Sequence, residues 1–245
     1  MIKIKSNRTS SHISAAFLSL GLLSSSQAAS ISLGSASSFA VIANQSVTST
    51  SATVNGNLGV STGTSVTGSP VVNGSIYTGN SPASAAALAD AQNAYNQISG
   101  LAGGVVVSGD LGVGPYQTLV PGVYDFTSSA QLTGTLTLSG SGLYTFRIVS
   151  SLTTAPGSLI ILAGGASASD VFFQVGSSAT LGSGSIFNGN ILSQSSATLN
   201  TSTVNGTVAA LTGTVALNGS TVTVPEASTA LFGALGALGL LRRRR

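Results

Sequence analysis

Short stretches of alternating apolar and polar residues recur along the second half of the chain. In Ala197-Thr198-Leu199-Asn200, Ala and Leu occupy the apolar positions, whereas Thr and Asn occupy the polar ones. Alternation with a period of two is typical of a β-strand that has one buried face. Gly, Asn and Pro separate these stretches, and these residues favour turns. The pattern therefore predicts many short strands joined by tight corners.

The alternating element is one copy of an internal repeat. Successive copies, at offsets of 22, 27 and 18 residues, are Ser128-Ser129-Ala130, Ser150-Ser151-Leu152, Ser177-Ser178-Ala179 and Ser195-Ser196-Ala197. The period then settles at 18 for Leu181, Leu199 and Leu217, and the same period links Ile186, Val204 and Val222. About 18 residues suit one coil of a solenoid with three short faces, because stacked coils bury a continuous core. The predicted fold is mainly β, an irregular parallel β-helix.

One segment departs from the β pattern. Residues 82–99 are predicted to form an α-helix with Ser81 as N-cap, Pro82 at the first helical position and Gly100 as the stop. Its apolar side, at spacings of three and four, comprises Ser84, Leu88, Ala91, Tyr95 and Ile98. We expect this side to pack lengthwise on one face of the solenoid, which then is no binding surface. Residues 61–80 are expected to form loops near one end.

Two columns of side chains follow from the same offsets. One is an internal aromatic column of Tyr124, Phe146 and Phe173, and its neighbour comprises Asp125, Arg147 and Gln174. An acid next to a base on adjacent coils indicates a structural salt bridge. A catalytic role for this pair is the less favoured alternative, because cross-strand pairing already explains the spacing.

The composition excludes most kinds of active site. Only 5% of the 245 residues are charged, Cys is absent, and the one His is His12 in the N-terminal segment. The rest of the chain therefore has no thiol nucleophile, no Ser-His-Asp arrangement and no imidazole metal site, so we expect neither an enzyme nor a bound cofactor or metal. Arg147 is the only basic residue between the two termini. Nucleic acid is excluded as a partner, since binding it requires several basic groups.

The N-terminal residues 1–29 are predicted to be a secretory signal peptide. Lys3, Lys5 and Arg8 form its basic start, Ala15 to Leu23 its apolar stretch, and Ser26 to Ala29 a small-residue cleavage site for signal peptidase. A short membrane anchor is the alternative, but a bilayer span needs about 20 apolar residues.

Residues 224–245 resemble the PEP-CTERM sorting signal of Gram-negative bacteria. The motif Val224-Pro225-Glu226 precedes an apolar run from Thr229 to Leu241 and four arginines. The resemblance implies processing by an exosortase after transient anchoring in the inner membrane, with the arginines on the cytoplasmic side. An ordinary tail anchor is the alternative. The predicted β-helix domain thus comprises residues 30–223.

Longer strings in this domain resemble the microbial ice-binding (antifreeze) proteins. The most specific are Pro121-Gly122-Val123-Tyr124 and Gln174-Val175-Gly176-Ser177-Ser178-Ala179-Thr180-Leu181, and the resemblance extends from about Ile31 to Val224. It implies an irregular right-handed β-helix with one long α-helix alongside, secretion, and adsorption to ice.

Two outward faces are candidates for contact with ice. The first comprises Ser129, Gln131, Thr133, Ser151, Thr153, Ser178, Thr180, Ser196, Thr198, Asn200 and Thr214; the second comprises Ser185, Thr203 and Thr221. The family often uses Thr-Gly-x-Thr-like steps in the second region, whereas this chain has Ile186 and Val204 at the fourth position of these steps. A flat β face displays hydroxyl and methyl groups on a stiff grid, since the χ1 angle of Thr is restricted.

Two hypotheses about function follow. The first is a secreted or surface-retained protein that adsorbs to ice and inhibits ice growth or recrystallisation. The alternative is a structural or adhesive protein of the extracellular matrix, with exopolysaccharide as a possible partner, for which the sorting signal is the main support.

Overall fold

Parallel strand pairing organises the fold throughout the computed structural model, which describes residues 30–225. The predicted signal peptide and residues 226–245 of the predicted sorting segment lie outside the described residues. Within the described part, 24 short strands form three sheets, A, B and C, in which every paired strand runs parallel to its neighbours. Each full coil of the chain contributes one strand to A, then one to B, then one to C. The sequence prediction of a three-sided β-solenoid is confirmed.

The strands are numbered in chain order, but their spatial order within each sheet is different. Sheet A comprises, from one edge to the other, β7 (Ile76–Tyr77), β4 (Asn57–Val60), β1 (Phe39–Ala43), β22 (Val208–Ala210), β19 (Asn190–Ser193), β16 (Val171–Val175), β13 (Tyr144–Ile148), β10 (Gly122–Phe126) and β8 (Val105–Val106). Sheet B comprises β11 (Ala130–Leu132), β14 (Leu152–Thr154), β17 (Ala179–Leu181), β20 (Ala197–Asn200), β23 (Thr214–Asn218), β2 (Ser46–Thr50) and β5 (Ser65–Thr67). Sheet C comprises β6 (Val71–Val72), β3 (Thr53–Asn55), β24 (Thr221–Thr223), β21 (Thr203–Asn205), β18 (Ile186–Asn188), β15 (Leu159–Ala163), β12 (Thr135–Ser139) and β9 (Thr118–Leu119). The helical segments are α1 (Pro82–Ser99) and the 3₁₀ turns Gly34–Ser38, Gly114–Tyr116 and Ala168–Asp170.

The order of coils along the solenoid differs from their order in the chain. The first coil, β1 to β3, packs on the last coil, β22 to β24, and the pairs Val41–Val208, Val47–Val215 and Val54–Val222 set the register. The strands β4 to β7 continue the stack beyond the first coil to one end. After α1 the chain resumes at the opposite end with β8 and returns coil by coil. The strands before α1 and the strands after it therefore form one continuous solenoid, joined where the first coil packs on the last.

The N-terminal end of the stack corrects one expectation. Residues 61–80, expected to be loops, contain the strands β5, β6 and β7, which form the terminal coil. Val66 and Val72 of this coil pack against the core. Each strand has only two or three residues, so the alternation is too short to stand out in the sequence.

The interior contains the predicted aromatic column. The ring centroids of Tyr124 and Phe146 are 5.3 Å apart, and those of Phe146 and Phe173 are 4.3 Å apart with an interplanar angle of 8°. Phe187 extends the column, its ring centroid lying 4.7 Å from that of Phe173. Stacked rings in successive coils fill the centre of the solenoid and add specific contacts to the apolar area that they bury.

The single helix lies along the outer side of sheet A. It covers residues 82–99, as predicted, with Pro82 at its start, although the Ser81 side chain makes no capping hydrogen bond. Ala87, Ala91 and Ala94 are fully buried against sheet A, and small side chains at these positions let the helix lie close to the strands. Leu88 and Tyr95 of the predicted apolar side are only partly buried. In residues 30–225, no helix has the length and apolar character that a membrane crossing requires.

The predicted salt bridge fastens the segment after the helix to sheet A. Arg147 donates to both carboxylate oxygens of Asp125, at 2.6 and 2.8 Å, and to the carbonyl oxygens of Leu101 and Gly103, each at 2.7 Å. The hydrogen bonding of Arg147 to the Asp125 carboxylate raises the pKa of the Arg147 guanidinium above its ordinary value. Gln174, the third member of this column, donates to the carbonyl oxygen of Tyr95 on the helix at 2.9 Å. These contacts confirm the predicted salt bridge and explain the spacing of the column.

A second polar contact holds the start of the described chain against the helix. The Ser35 hydroxyl and backbone N–H both donate to Asp90 Oδ2, at 2.6 and 2.8 Å. The two hydrogen bonds, led by that of the hydroxyl, lower the pKa of Asp90 below its ordinary value. The 3₁₀ turn before β1 is thereby fixed next to α1.

At the corner between sheets B and C, several coils contain one residue with a left-handed backbone conformation. Gly184 (φ 72°) and Gly219 (φ 65°) adopt this conformation without strain, whereas Thr201 occupies the corresponding position with a φ of 44°. A β-branched residue in this region is a conformational outlier. The corner at Thr201 therefore stores local strain.

We expect replacement of the central ring to destabilise the protein strongly. Phe146→Ala should lower the free energy of unfolding by about 3–5 kcal/mol, because a large cavity remains in the stacked core. Denaturant unfolding monitored by circular dichroism measures the change. The control Val149→Ala, at a side chain that is 69% exposed, should change stability by less than about 0.5 kcal/mol. Similar losses in the two variants would contradict the role of the column.

Relief of the strained corner should stabilise the protein. Left-handed backbone costs an L-residue about 1–2 kcal/mol, and the greater flexibility of unfolded glycine offsets about 0.5–1 kcal/mol of that. Thr201→Gly should therefore raise the free energy of unfolding by about 0.5–1 kcal/mol. Thr127→Gly, at an exposed threonine with ordinary φ, should lower it. Thermal unfolding of both variants tests the prediction, which fails if Thr201→Gly is the less stable one.

Candidate functional site

Sheet B carries a continuous row of outward side chains. In each strand the residues on either side of the row point inward, as Ala197 and Leu199 do around Thr198. The central row, in spatial order, consists of Gln131, Thr153, Thr180, Thr198, Ala216, Thr48 and Thr67. Five of these seven side chains are threonines, and one is a methyl group. The sequence placed Gln131, Thr153, Thr180 and Thr198 in this row, and the structure brings them together.

A second row lies beside the central row at the corner between sheets A and B. It consists of Ser129, Ser151, Ser178, Ser196, Thr214, Ser46 and Ser65. The hydroxyls of Ser129 and Ser151 are 3.2 Å apart. Ser196 Oγ accepts a hydrogen bond from the backbone of Thr214 at 3.3 Å. Hydrogen bonds between coils therefore fix the orientation of several of these hydroxyls.

A shorter third row lies towards the corner with sheet C. Asn200 and Asn218 pair in register, and the Asn218 side chain donates to Asn200 Oδ1 at 3.0 Å. Thr50 pairs with Asn218 on the other side. Thr133 is exposed but lies just beyond β11, at the corner itself.

The three rows form a grid whose spacing is set by the backbone. Neighbouring strands lie about 4.8 Å apart, and alternate residues along one strand are separated by about 6.6 Å. The seven strands of sheet B therefore span about 29 Å along the solenoid. At every junction between neighbouring strands at least three residue pairs are in register. Sheet B is a regular surface over its whole length.

All but one of the charged groups in residues 30–225 lie away from this grid, and the exception is Asp110. Asp90 is on the helix, Asp125 and Arg147 are on sheet A next to the segment that follows the helix, and Asp170 is in a corner. Asp110 directly precedes Leu111, which forms a β-bridge with Leu132, and it lines a cleft with Gln131 at the β11 end of the grid. The strands of sheet B contain no charged or aromatic residue. Within the described part of the chain, the α-helix packs on sheet A and leaves the outer face of sheet B uncovered. In the same residues no three His, Asp or Glu side chains cluster as a metal site would require.

The second predicted face is altered by a shift of register. Thr203 and Thr221 pair and point outward from sheet C, but Ile186 and not Ser185 lies next to Thr203. Ser185 is only 1% exposed and donates to the carbonyl oxygen of Gly182 at 2.7 Å. The predicted column of Ser185, Thr203 and Thr221 is therefore wrong in its first member.

An extra residue in one corner explains why Ile186, and not Ser185, lies next to Thr203. Five residues separate Leu181 from Phe187, whereas four separate Leu199 from Val204, so the period of 18 predicted from Ile186 to Val204 does not hold. The observed register buries Phe187 against Phe173. A slip by one residue would turn Phe187 outward and bury the Asn188 amide.

The corrected face on sheet C is less uniform than sheet B. Its corresponding row consists of Thr135, Leu159, Ile186, Thr203, Thr221, Thr53 and Val71. Ile186 and Val71 are 46% and 58% exposed. Between β15 and β18 only one residue pair is in register. Sheet C therefore has threonines in its middle and large aliphatic side chains towards both ends.

The sequence prediction missed the N-terminal part of sheet B. Thr48 and Thr67 belong to the central row, Ser46 and Ser65 to the second row, and Thr50 to the third. Their alternation with Val47 and Val66 is visible in the sequence. What the sequence does not reveal is that β2 stacks on β23, far along the chain, and that β5 extends the sheet beyond β2.

Comparisons with known proteins agree with this geometry. The ice-binding protein of Nostoc sp. (strain HG1) is 50% identical over 184 residues, which cover 71% of this chain and 66% of that protein. The ice-binding protein of Leucosporidium sp. (strain AY30) is 37% identical over 231 residues, covering 84% of this chain and 87% of the relative. The crystal structure of an ice-binding protein from Antarctomyces psychrotrophicus has a TM-score of 0.74 and 35% identity, covering 81% of this chain and all of that one.

A family model gives the same result. The model described as Ice-binding-like matches residues 41–223, which include the strands of all three sheets apart from the first two residues of β1. The resemblance seen in the sequence is thus confirmed at the level of the family. The chain belongs to the ice-binding-like family.

Proposed function

We propose that the protein adsorbs to ice through sheet B. The observation that carries this proposal is the uninterrupted central row of sheet B, in which threonine side chains repeat in register along the solenoid. The names of the relatives, all called ice-binding proteins, support the choice of ligand.

Sheet B has the physical properties that a crystalline ligand requires. Ice presents a fixed lattice, so the protein surface must keep its own spacing, and backbone hydrogen bonds in sheet B do so. The restricted χ1 angle of threonine fixes both its hydroxyl and its methyl group. The hydroxyl replaces a water neighbour, whereas the methyl excludes disordered water. A charged side chain would hold a strongly hydrated liquid-like shell, and the strands of sheet B contain none.

Sheet B is favoured over sheet C because its rows are regular. The single register pair between β15 and β18 interrupts the grid on sheet C, and Leu159 and Ile186 stand where sheet B has threonines. Thr203, Thr221 and Thr53 nevertheless form a short hydroxyl row there. They offer a matched set of control positions.

The alternative of a matrix protein that binds exopolysaccharide is less well supported. Sugar rings pack on exposed aromatic side chains, and the strands of sheet B contain none. No observation in residues 30–225 favours this alternative.

We further propose that the chain is exported and then held at the cell surface or in the extracellular matrix of a Gram-negative bacterium. Residues 1–29 support removal by signal peptidase, and Val224-Pro225-Glu226 with the following apolar run and arginines supports transient inner-membrane anchoring and processing by an exosortase. The predicted processing steps would leave the β-helix domain intact, and the domain then acts by adsorption and not as an enzyme.

Charge on the central row should abolish activity. In the double variant Thr180→Lys/Thr198→Lys, two hydrated ammonium groups in the middle of sheet B should keep liquid water at the surface. We expect thermal hysteresis and ice-crystal shaping to fall at least tenfold, while the circular dichroism spectrum stays unchanged. The matched control Thr203→Lys/Thr221→Lys, on sheet C, should retain most of the activity. Loss of activity in the control pair alone would identify sheet C as the ice-binding face and contradict the proposal.

Export should yield a defined mature N-terminus. Expressed in a Gram-negative host, the protein should be recovered outside the cytoplasm beginning at Ala29 or Ser30, because the small residues before these positions suit signal peptidase. Mass spectrometry of the purified protein measures the start. A variant with Lys3, Lys5 and Arg8 replaced by Gln should accumulate unprocessed. Recovery of an unprocessed wild-type chain would contradict the signal-peptide proposal.

A further inference from the structure

Both ends of the described chain leave the solenoid at the same corner. The chain enters through the 3₁₀ turn Gly34–Ser38 directly before β1 of sheet A, and it leaves directly after β24 of sheet C. Because each coil passes from sheet C to sheet A at one corner, both ends lie there. The strands β1 and β3, which flank this corner, pair with β22 and β24, so the two ends also lie at the same level along the solenoid.

The lining of one cleft gives independent support. A cleft of about 340 Å³ is lined by residues near both ends, among them Ser30, Ile31 and Pro225. Asp170, from the corner before β16, and Asn190, at the start of β19, line the same cleft. The cleft therefore lies on the corner between sheets C and A, which we call the C/A corner.

In a three-sided solenoid each corner faces away from the sheet that does not form it. The C/A corner is formed by sheets C and A, so sheet B lies on the opposite side of the molecule. Any attachment at either end of the chain is thus made as far from sheet B as the cross-section allows.

The short segment after Pro225 limits the distance between the C/A corner and the apolar run. Only Glu226, Ala227 and Ser228 separate Pro225 from the apolar run that starts at Thr229. Three residues span about 10 Å when fully extended. If the apolar run is inserted in lipid, this linker holds the C/A corner close to the membrane, because about 10 Å is less than the roughly 29 Å that sheet B spans along the solenoid.

We propose that, until the exosortase processes the chain, the C-terminal apolar run anchors the protein to a lipid bilayer with the C/A corner towards the membrane and sheet B facing away from it. The orientation rests on the geometry of the two ends. Its consequence, that the anchored chain keeps sheet B free to adsorb to ice, rests on the proposed function. An attached protein would then need no rearrangement to contact ice.

The absence of cysteine makes the orientation measurable. Ser169→Cys, at an exposed residue on the C/A corner, and Thr153→Cys, at an exposed residue on sheet B, each introduce one unique attachment point for a fluorophore. The chain from Ser30 to Arg245, which retains every described residue, is mixed with phosphatidylcholine vesicles that contain a headgroup-linked quencher. We expect quenching at position 169 to exceed that at position 153 at least threefold.

One control variant tests the anchor separately from the orientation. Leu235→Arg/Leu238→Arg places two charges in the apolar run and should abolish flotation with the vesicles. Equal or reversed quenching at the two positions would overturn the proposed orientation. Failure of the unaltered chain to float with the vesicles, or continued flotation of the double variant, would overturn the proposed anchor.

A final measurement distinguishes this proposal from the proposed function. Vesicles that carry the anchored chain should be incorporated into a growing ice front. For vesicles that carry the Thr180→Lys/Thr198→Lys variant, the incorporated fraction should be at least tenfold lower. Strong quenching at position 169 without retention in ice would support the orientation and contradict ice binding by sheet B.

Discussion

Lateral hydrogen bonding between parallel coils is the constraint on which the rest of the structure depends. A coil of about 18 residues has too little interior to stabilise itself, and only stacking buries its inward side chains. Once neighbouring coils pair in register, the same period of two that buries Ala197 and Leu199 turns Thr198 outward. The outer surface is therefore a direct consequence of core packing. A shift of one residue would exchange core and surface together.

The three sheets share this construction but differ in what covers them. Sheet A is covered by the alanine-rich side of α1, and its polar outward residues are engaged in the Asp125–Arg147 salt bridge and in hydrogen bonds to the chain around the end of the helix. Sheet C is uncovered but interrupted where β15 meets β18. Sheet B alone combines an uncovered surface with register pairs along its full length. The strands of sheet B contain neutral residues only, and Asp110 lies near Gln131 at the β11 end of the sheet.

The parts of the fold that depend on local pattern could be predicted from the sequence. The alternation around Thr180 and Thr198, the offsets that stack Tyr124 on Phe146, and the bounds of α1 all follow from spacing along the chain. The register of Ile186 could not be predicted, because the corner before it is one residue longer and only the packing of Phe187 reveals this. The contribution of Thr48 and Thr67 to sheet B escaped prediction for a different reason. Their neighbours are fixed by contact between opposite ends of the chain, and a single sequence carries no signal of that contact.

The stacking of the first coil on the last has a consequence for how the molecule is made. Val41 finds its partner Val208 only after 167 further residues have been synthesised, so the earliest strands wait with one edge unsatisfied. Contacts of such high sequence separation form late and slowly. If the chain is exported from its N-terminus as proposed, it cannot complete its fold before its C-terminal third has crossed the membrane. Late pairing would then keep the polypeptide unfolded during transport, and the solenoid would assemble only outside the cytoplasm.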